Sequence, residues 1–227
     1  MNSIEKEIEK NSIWHGLSLN TVHHWDCLEL MRLIPDKSID LVLTDPPYWI
    51  WIDWQKESIA NNPKHNRKSH EFMWRDKEIP SKEYFDEIFR ISKNQIIRWW
   101  NYFVLHLTEW HKWRLIWDKW QHWLTMSDCE IAYSSFDSPT RVFILNRIEI
   151  QNDWALHPTQ KPLKLIKRCL ENYSEPWMTI CDPFLWSWTT AVACKELWRN
   201  FIGIEKELKY VDIANKRLAT TTVSLFS

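Results

Sequence analysis

The sequence predicts an α/β fold built on a mostly parallel sheet with helices on both faces. Three observations carry this. Strand-length apolar runs alternate with helical segments in both halves of the chain. The run Ile39–Leu43 (IDLVL) lacks the polar–apolar alternation of a half-exposed strand, as suits a central parallel strand covered on both sides. Acid- and proline-bearing segments follow two of the strands, where open α/β sheets bind ligands.

Taken in order, Val22–His24 reads as a short strand, followed by an amphipathic helix with Leu28, Met31 and Leu33 inward. Ile39–Leu43 is a strand ended by Asp45-Pro46-Pro47. Residues 53–80 are polar and irregular, a long loop or small insertion. Ser81–Ser92 reads as a helix that Ser81 can cap, with Tyr84, Phe85, Ile88, Phe89 and Ile91 as its apolar face. Gln95–Ile97 is a strand and 101–107 a short helix. Leu115–Trp117, Glu130–Ser134 and Arg141–Ile144 are strands. After a connection over 145–162 come a helix over Leu163–Asn172, a strand over Met178–Cys181 and a helix over Thr189–Leu197. A strand over Asn200–Ile204 and a helix over Glu207–Leu218 complete the pattern. Residues 1–227 are expected to form one domain, with variable segments near 53–80 and 118–140.

Lys and Arg number 29 against 30 Asp and Glu. This balance excludes a polybasic protein but leaves room for a local basic patch. No apolar run reaches the ~18 residues of a membrane span, and the opening MNSIEKEIEKNS lacks a signal-peptide core. No membrane association is expected, and the cytoplasm is the expected location. The five cysteines (27, 129, 169, 181, 194) form no CxxC pair, which argues against a disulfide framework or zinc site. No metal is expected, and the thiols read as reduced and mostly buried.

One count does not fit a soluble α/β protein: 2 glycines against 18 tryptophans. At a usual content of ~7%, a chain this long holds about 16 glycines. Tight turns and helix C-caps need a residue that reaches φ > 0 without steric cost. Tryptophan stands where such glycines belong, as in Pro176-Trp177, Trp198-Arg199-Asn200, Lys119-Trp120 and Trp99-Trp100-Asn101.

Three segments carry chemistry. Thr44-Asp45-Pro46-Pro47-Tyr48 ends a strand. Its prolines stiffen the chain and remove two donors, Asp45 adds an acceptor, and Tyr48 adds a flat face. Such a group can hold an amino donor in plane while stacking on an aromatic ring, and it can also be a plain rigid turn. Asp182-Pro183-Phe184-Leu185-Trp186-Ser187-Trp188-Thr189-Thr190 joins a strand to a helix, the setting of a nucleotide or cofactor cradle. As written, the indoles of Trp186 and Trp188 would fill that cradle; with glycine at both positions it reads DPFLGSGTT. Glu205 ends the next strand, placed to accept from ribose hydroxyls.

With these segments in view, the chain resembles the DNA methyltransferases that use S-adenosylmethionine to methylate an exocyclic amino nitrogen. It is similar to the circularly permuted group in which Asp-Pro-Pro-Tyr precedes the cofactor motif. His24-Trp25-Asp26-Cys27-Leu28 resembles that family's HGDxL entry, Ser38–Leu43 its lead-in strand, and Arg90–Phe103 its strand and NYF segment. His157-Pro158-Thr159-Gln160-Lys161-Pro162 matches its HPTQKP signature; Phe201–Glu205, Tyr210, Ala214 and Arg217 match its last strand and helix.

The resemblance implies a Rossmann-like methyltransferase fold, S-adenosyl-L-methionine as cofactor, and double-stranded DNA as partner with the target base flipped out. It implies that Asp45 and the Pro46 carbonyl accept from the target amino group, with Pro47 stiffening the clamp, and that Tyr48 stacks on the base. Asp182, Phe184, Trp186, Ser187, Trp188, Thr189 and Thr190 would surround the cofactor, with Glu205 on its ribose, Asp26 near its adenine, and Thr159, Gln160 and Lys161 toward its amino-acid end. Lys64, Arg67 and Lys68, with the rest of the 53–80 segment and the 118–140 segment, are expected to contact DNA. The stretch Lys161, Lys164, Lys167 and Arg168 reads equally as a DNA contact or a solvated helix face. The DPPY form favours adenine N6 over cytosine N4. A catalytically dead DNA-binding homologue and a dinucleotide oxidoreductase are the readings from other classes, and a cognate restriction nuclease and a homodimer are arrangements the resemblance allows.

The departure from the family is systematic: Trp at 25, 49, 99, 100, 154, 177, 186, 188 and 198 where its glycines stand. A gene whose source reads UGA as glycine, translated with UGA as Trp, would give this pattern. Arg75, Arg98 and Arg114 stand beside Trp74, Trp99 and Trp113 where an aromatic residue fits, as a second reassignment from Arg to Trp codons would give.

Overall fold

The structure is a computed structural model that describes residues 13–14, 17–47, 79–107, 113–121, 127–146, 161–186 and 188–222. Its centre is an eight-stranded sheet of β3 (Thr21–His24), β4 (Ile39–Thr44), β5 (Ser92–Ile97), β6 (Arg114–Asp118), β7 (Cys129–Ser134), β8 (Arg141–Ile144), β9 (Thr179–Asp182) and β10 (Asn200–Glu205). The spatial order is β3-β10-β9-β4-β5-β7-β6-β8, and a separate two-stranded ribbon pairs β1 (Ile13–Trp14) with β2 (Leu17–Ser18). Within the large sheet every pairing is parallel except the two made by β7, which runs against both β5 and β6.

Helices α1 (Cys27–Met31), α2 (Lys82–Ile91), α3 (Trp100–Phe103), α4 (Leu163–Tyr173), α5 (Thr189–Glu196) and α6 (Leu208–Thr220) complete the fold. Two cores result, one on each face. Leu41 and Leu43 of β4 join residues of α4, α5 and α6, while Val42 joins residues of α1 and α2. The unbroken apolar run of β4 is thus a central strand, between β9 and β5, with both faces buried.

Local detail departs from expectation at three places. Leu33 is 62% exposed, and Leu30, Met31 and Ile34 are buried instead. The inward stripe at i, i+3, i+4 and i+7 spacing runs 27, 30, 31, 34, and Leu33 lies off it. Ser81 precedes α2 in extended conformation, but its side chain makes no capping hydrogen bond. Arg90 anchors that helix instead, donating through Nη1 to the Ile34 carbonyl (2.9 Å) and through Nη2 to the Met31 carbonyl (2.8 Å). The β1–β2 ribbon was not expected from the sequence.

Among the described residues, seven other than glycine have positive φ: Asn20, Lys37, Trp99, Trp120, Trp177, Trp188 and Trp198. Asparagine tolerates this region; a bulky aromatic there is strained. Gly203, by contrast, meets the need for close approach: a Cβ at this position would lie 2.4 Å from Leu185 Cδ2.

Candidate active site

The strands β10, β9, β4 and β5 lie side by side and parallel, so their C-terminal ends open on one rim. Glu205 ends β10, Asp182 ends β9, and Asp45 follows β4. A pocket opens there. Its wall includes Asp45, Pro46, Pro47, Asp182, Phe184, Trp186, Thr189, Thr190, Glu205, Asp26 and Lys161. The two halves of the chain therefore supply one cavity.

Asp182 is its most constrained acid. Thr44 Oγ1 donates to Asp182 Oδ1 (2.7 Å), the Phe184 amide donates to the same oxygen (3.2 Å), and Thr190 Oγ1 donates to Oδ2 (2.7 Å). Burial still wins: it pushes the carboxyl up from 3.8 to about 6, helped by nearby Asp45 and opposed by these three hydrogen bonds. At neutral pH Asp182 is a buried anion with no cation among the ion pairs of the described residues. A positively charged ligand would relieve that cost.

Asp45 is held from the other side. Lys161 Nζ lies 3.1 Å from Asp45 Oδ2, and the Lys161 side chain is buried. Asp45 Oδ1 is buried with no hydrogen-bond donor among the described residues. Thr189 Oγ1 donates to the Lys161 carbonyl (3.3 Å), tying this segment to the first turn of α5. Lys161 also lies 3.8 Å from Glu130 Oε2, and Lys119 Nζ lies 3.1 Å from Glu130 Oε1. Arg98 Nη2 completes the set on Glu130 Oε2. Burial pushes the Glu130 carboxyl up, but Lys161, Arg98 and Lys119 outweigh it and hold it below the usual carboxylate range.

Glu205 is buried on the pocket wall, and its Oε1 accepts from the Glu207 amide (2.7 Å). Asp26 lines the pocket too, but its Oδ1 is the N-cap of α1, accepting from the Leu28 (3.0 Å) and Glu29 (3.4 Å) amides. Trp186 stacks on Tyr210 at the pocket edge, ring centroids 5.4 Å apart. Trp188 does not fill the cradle as the sequence suggested: its side chain is turned into the core, 2% exposed, with the Arg217 guanidinium 5.7 Å from its ring centroid. It is nonetheless the N-cap of α5, at φ 47°.

The expected site residues Tyr48, Thr159, Gln160, Ser187, Lys64, Arg67 and Lys68 lie outside the described residues. The basic stretch divides. Lys161 is buried at Asp45, Lys164 is exposed, Lys167 pairs with Glu196 (3.1 Å), and the Arg168 guanidinium lies over Phe143. Sequence reasoning placed Thr44 in a motif without giving it a role, and missed Lys119 and Glu130. A trace of Glu130 was present, an acid inside the otherwise weakly polar strand CEIAYS.

The pocket holds no activated protein nucleophile among the described residues. Its thiol, Cys27, is pushed up to about 12 by burial and by Asp26. What the rim offers is a rigid acceptor at Asp45 beside a buried anion at Asp182. This suits positioning an amino donor against a cationic ligand.

A family described as DNA methylase matches residues 54–216. The Type II methyltransferase M.HinfI of Haemophilus influenzae is 28% identical over 245 residues, covering 88% of this chain and 68% of the relative. The Thermus thermophilus protein TTHA0409, solved in complex with S-adenosyl-L-methionine, superposes with a TM-score of 0.58 at 18% identity, over 88% of this chain and 94% of that one. The PvuII DNA methyltransferase, cytosine-N4-specific, superposes with a TM-score of 0.55 at 16% identity, over 91% and 95% of the two chains. The two structures speak to shared architecture.

Proposed function

Since the chain belongs to the N6/N4 DNA methylase family, we propose that it moves a methyl group from S-adenosyl-L-methionine to the exocyclic N6 of adenine in DNA. One observation carries the reading: Asp45 Oδ1 sits on the pocket wall without a donor among the described residues, next to the strand end that bears Asp182. A buried acceptor lacking its donor is costly until a ligand supplies one, and an exocyclic amino group does so. The Pro46 carbonyl is the second acceptor of this clamp, Pro47 stiffens it, and Tyr48 is the flat face for the base. Together they turn the nitrogen lone pair toward the methyl group.

The cofactor, when bound, supplies a methyl group on a positively charged sulfur. The residues present fit such a group. Asp182 offers a buried negative charge, Glu205 an acceptor at the next strand end, and Phe184, Thr189 and Thr190 the intervening wall. The order β4 before β9 in the chain, with the two adjacent in space, supports the permuted motif order. Asp45, Asp182 and Glu205 standing together around one pocket count against a dead homologue, and neither the Asp45 clamp nor Lys161 has a role in hydride transfer.

Cytosine N4 is the second reading, because its amino group satisfies the same clamp and the fold is shared with a cytosine-N4-specific enzyme. Expressing the gene, recoded to give the residues its source's code gives, in a host without DNA methylation and then sequencing the host DNA with modified-base detection tests both. N6-methyladenine at a recurrent site supports the first reading and N4-methylcytosine the second. Unmodified DNA from a folded, cofactor-binding protein overturns both.

We also propose that glycine occupies positions 99, 120, 177, 188 and 198 in the protein as its source makes it. All five are left-handed, where glycine carries no steric cost. Arg98 fits the companion Arg-to-Trp idea: the residue is 6% exposed, and its Nη1 is buried without an acceptor among the described residues.

A further inference from the structure

The methyl-transfer reading gives Glu130 no role of its own. It lies on β7, far along the chain from Asp45, yet it is buried and one lysine joins the two acids. Lys161 Nζ stands between them, 3.1 Å from Asp45 Oδ2 and 3.8 Å from Glu130 Oε2. Glu130 is itself fixed on its far side by Lys119, 3.1 Å from Oε1. The chain of contacts runs Lys119, Glu130, Lys161, Asp45. Arg98, which also pairs with Glu130, is not a link in it.

The physical problem this solves is one of orientation. A lysine side chain has four rotatable bonds and a point charge with no preferred plane. Paired with Asp45 alone, the ammonium could swing to either carboxylate oxygen. Held from behind by a buried carboxylate, it is confined to the side of Oδ2. Oδ1 then remains open.

We propose that Glu130 is a positioning residue for methyl transfer: it fixes Lys161 on Asp45 Oδ2 and so keeps Asp45 Oδ1 free for the target amino group. The proposal rests on the role given to Asp45 above. Glu130 itself touches neither base nor cofactor. Its loss therefore acts on the reacting geometry and leaves ligand binding alone.

The test uses the full chain translated with its source's own code, tritiated S-adenosylmethionine and unmethylated genomic DNA. Turnover by the unaltered protein checks the underlying reading separately; the ratios among variants check this one. Glu130→Gln is expected to lower kcat by about 10- to 100-fold, the scale of a small misplacement at a reacting centre. The KM for DNA and the Kd for cofactor should stay within about threefold, a margin below one hydrogen bond. Glu130→Asp keeps the charge but shortens the reach, so it should fold and fall between the two. The decisive comparison is with Lys161→Met. If Glu130 acts through Lys161, the double variant loses no more kcat than Lys161→Met alone. Losses that multiply overturn the proposal, as does an unchanged kcat in Glu130→Gln. Should Glu130→Gln fail to fold, Glu130→Asp with and without Lys161→Met decides the question in the same way.

Discussion

Thr44 Oγ1 donates to Asp182 Oδ1 across 2.7 Å, joining the last residues of two strands separated by most of the chain. The bond is buried. It couples the clamp that follows β4 to the turn that follows β9, so displacement of one end is felt at the other. Titration and substitution along this rim have outcomes that its geometry sets.

The Asp182 carboxyl titrates at about 6, above its ordinary 3.8. Between these values the folded protein binds more protons than the unfolded chain. Its contribution to stability therefore falls as pH rises from about 4 to about 6 and is level above. Cofactor affinity runs the other way, because the cationic ligand favours the ionised acid. We expect binding at pH 5 to be about tenfold weaker than at pH 8, following one proton per unit of pH below the folded value. Calorimetric titration at the two pH values checks this, and equal affinities would remove Asp182 from the cofactor site.

Asp45→Ala removes the open acceptor while leaving Asp182 and Glu205 in place. Cofactor binding should change little, and methyl transfer should drop by about 10²–10³-fold or more, the scale of losing one preorganised hydrogen-bonding group. Substantial residual transfer would count against the clamp.

The left-handed tryptophans make a prediction about the gene. UGA codons should stand at 99, 120, 177, 188 and 198; ordinary UGG codons there would overturn the glycine proposal. The chain as written offers a physical check as well. Trp177 is 67% exposed at φ 70°, so Trp177→Gly relieves about 1–2 kcal/mol of backbone strain at small packing cost, its ring contact with Trp198 lying 5.8 Å away. For a chain of this size that raises Tm by about 2–8 °C in a thermal melt.

Much of the scaffold was legible in the sequence because its central strands are buried on both faces. A strand such as β4 shows this directly as an apolar run, and the acid–proline segments mark where β4 and β9 stop. The α1 face was misread because a five-residue helix gives too short a stripe to place Leu33. The site was legible in its acids and not in its supports. Asp45, Asp182 and Glu205 sit at strand ends, a position with chemical meaning in this class of sheet. Lys119 and Glu130 become neighbours of Lys161 only through tertiary packing, which no local pattern records. The tryptophan anomaly was legible as composition, and five of these tryptophans stand at positive φ, the backbone region that favours glycine.

The reversed direction of β7 has a consequence for where reactive groups can originate. In a uniformly oriented sheet only residues leaving a strand arrive at the ligand-bearing edge, and those entering one sit on the opposite side of the molecule. Here Cys129 lies across from Asp118, the departing end of β6, so the entrance of β7 delivers Glu130 to the same edge as the exits of its neighbours. One inverted strand thus widens the set of chain positions from which evolution can recruit a charge for this pocket.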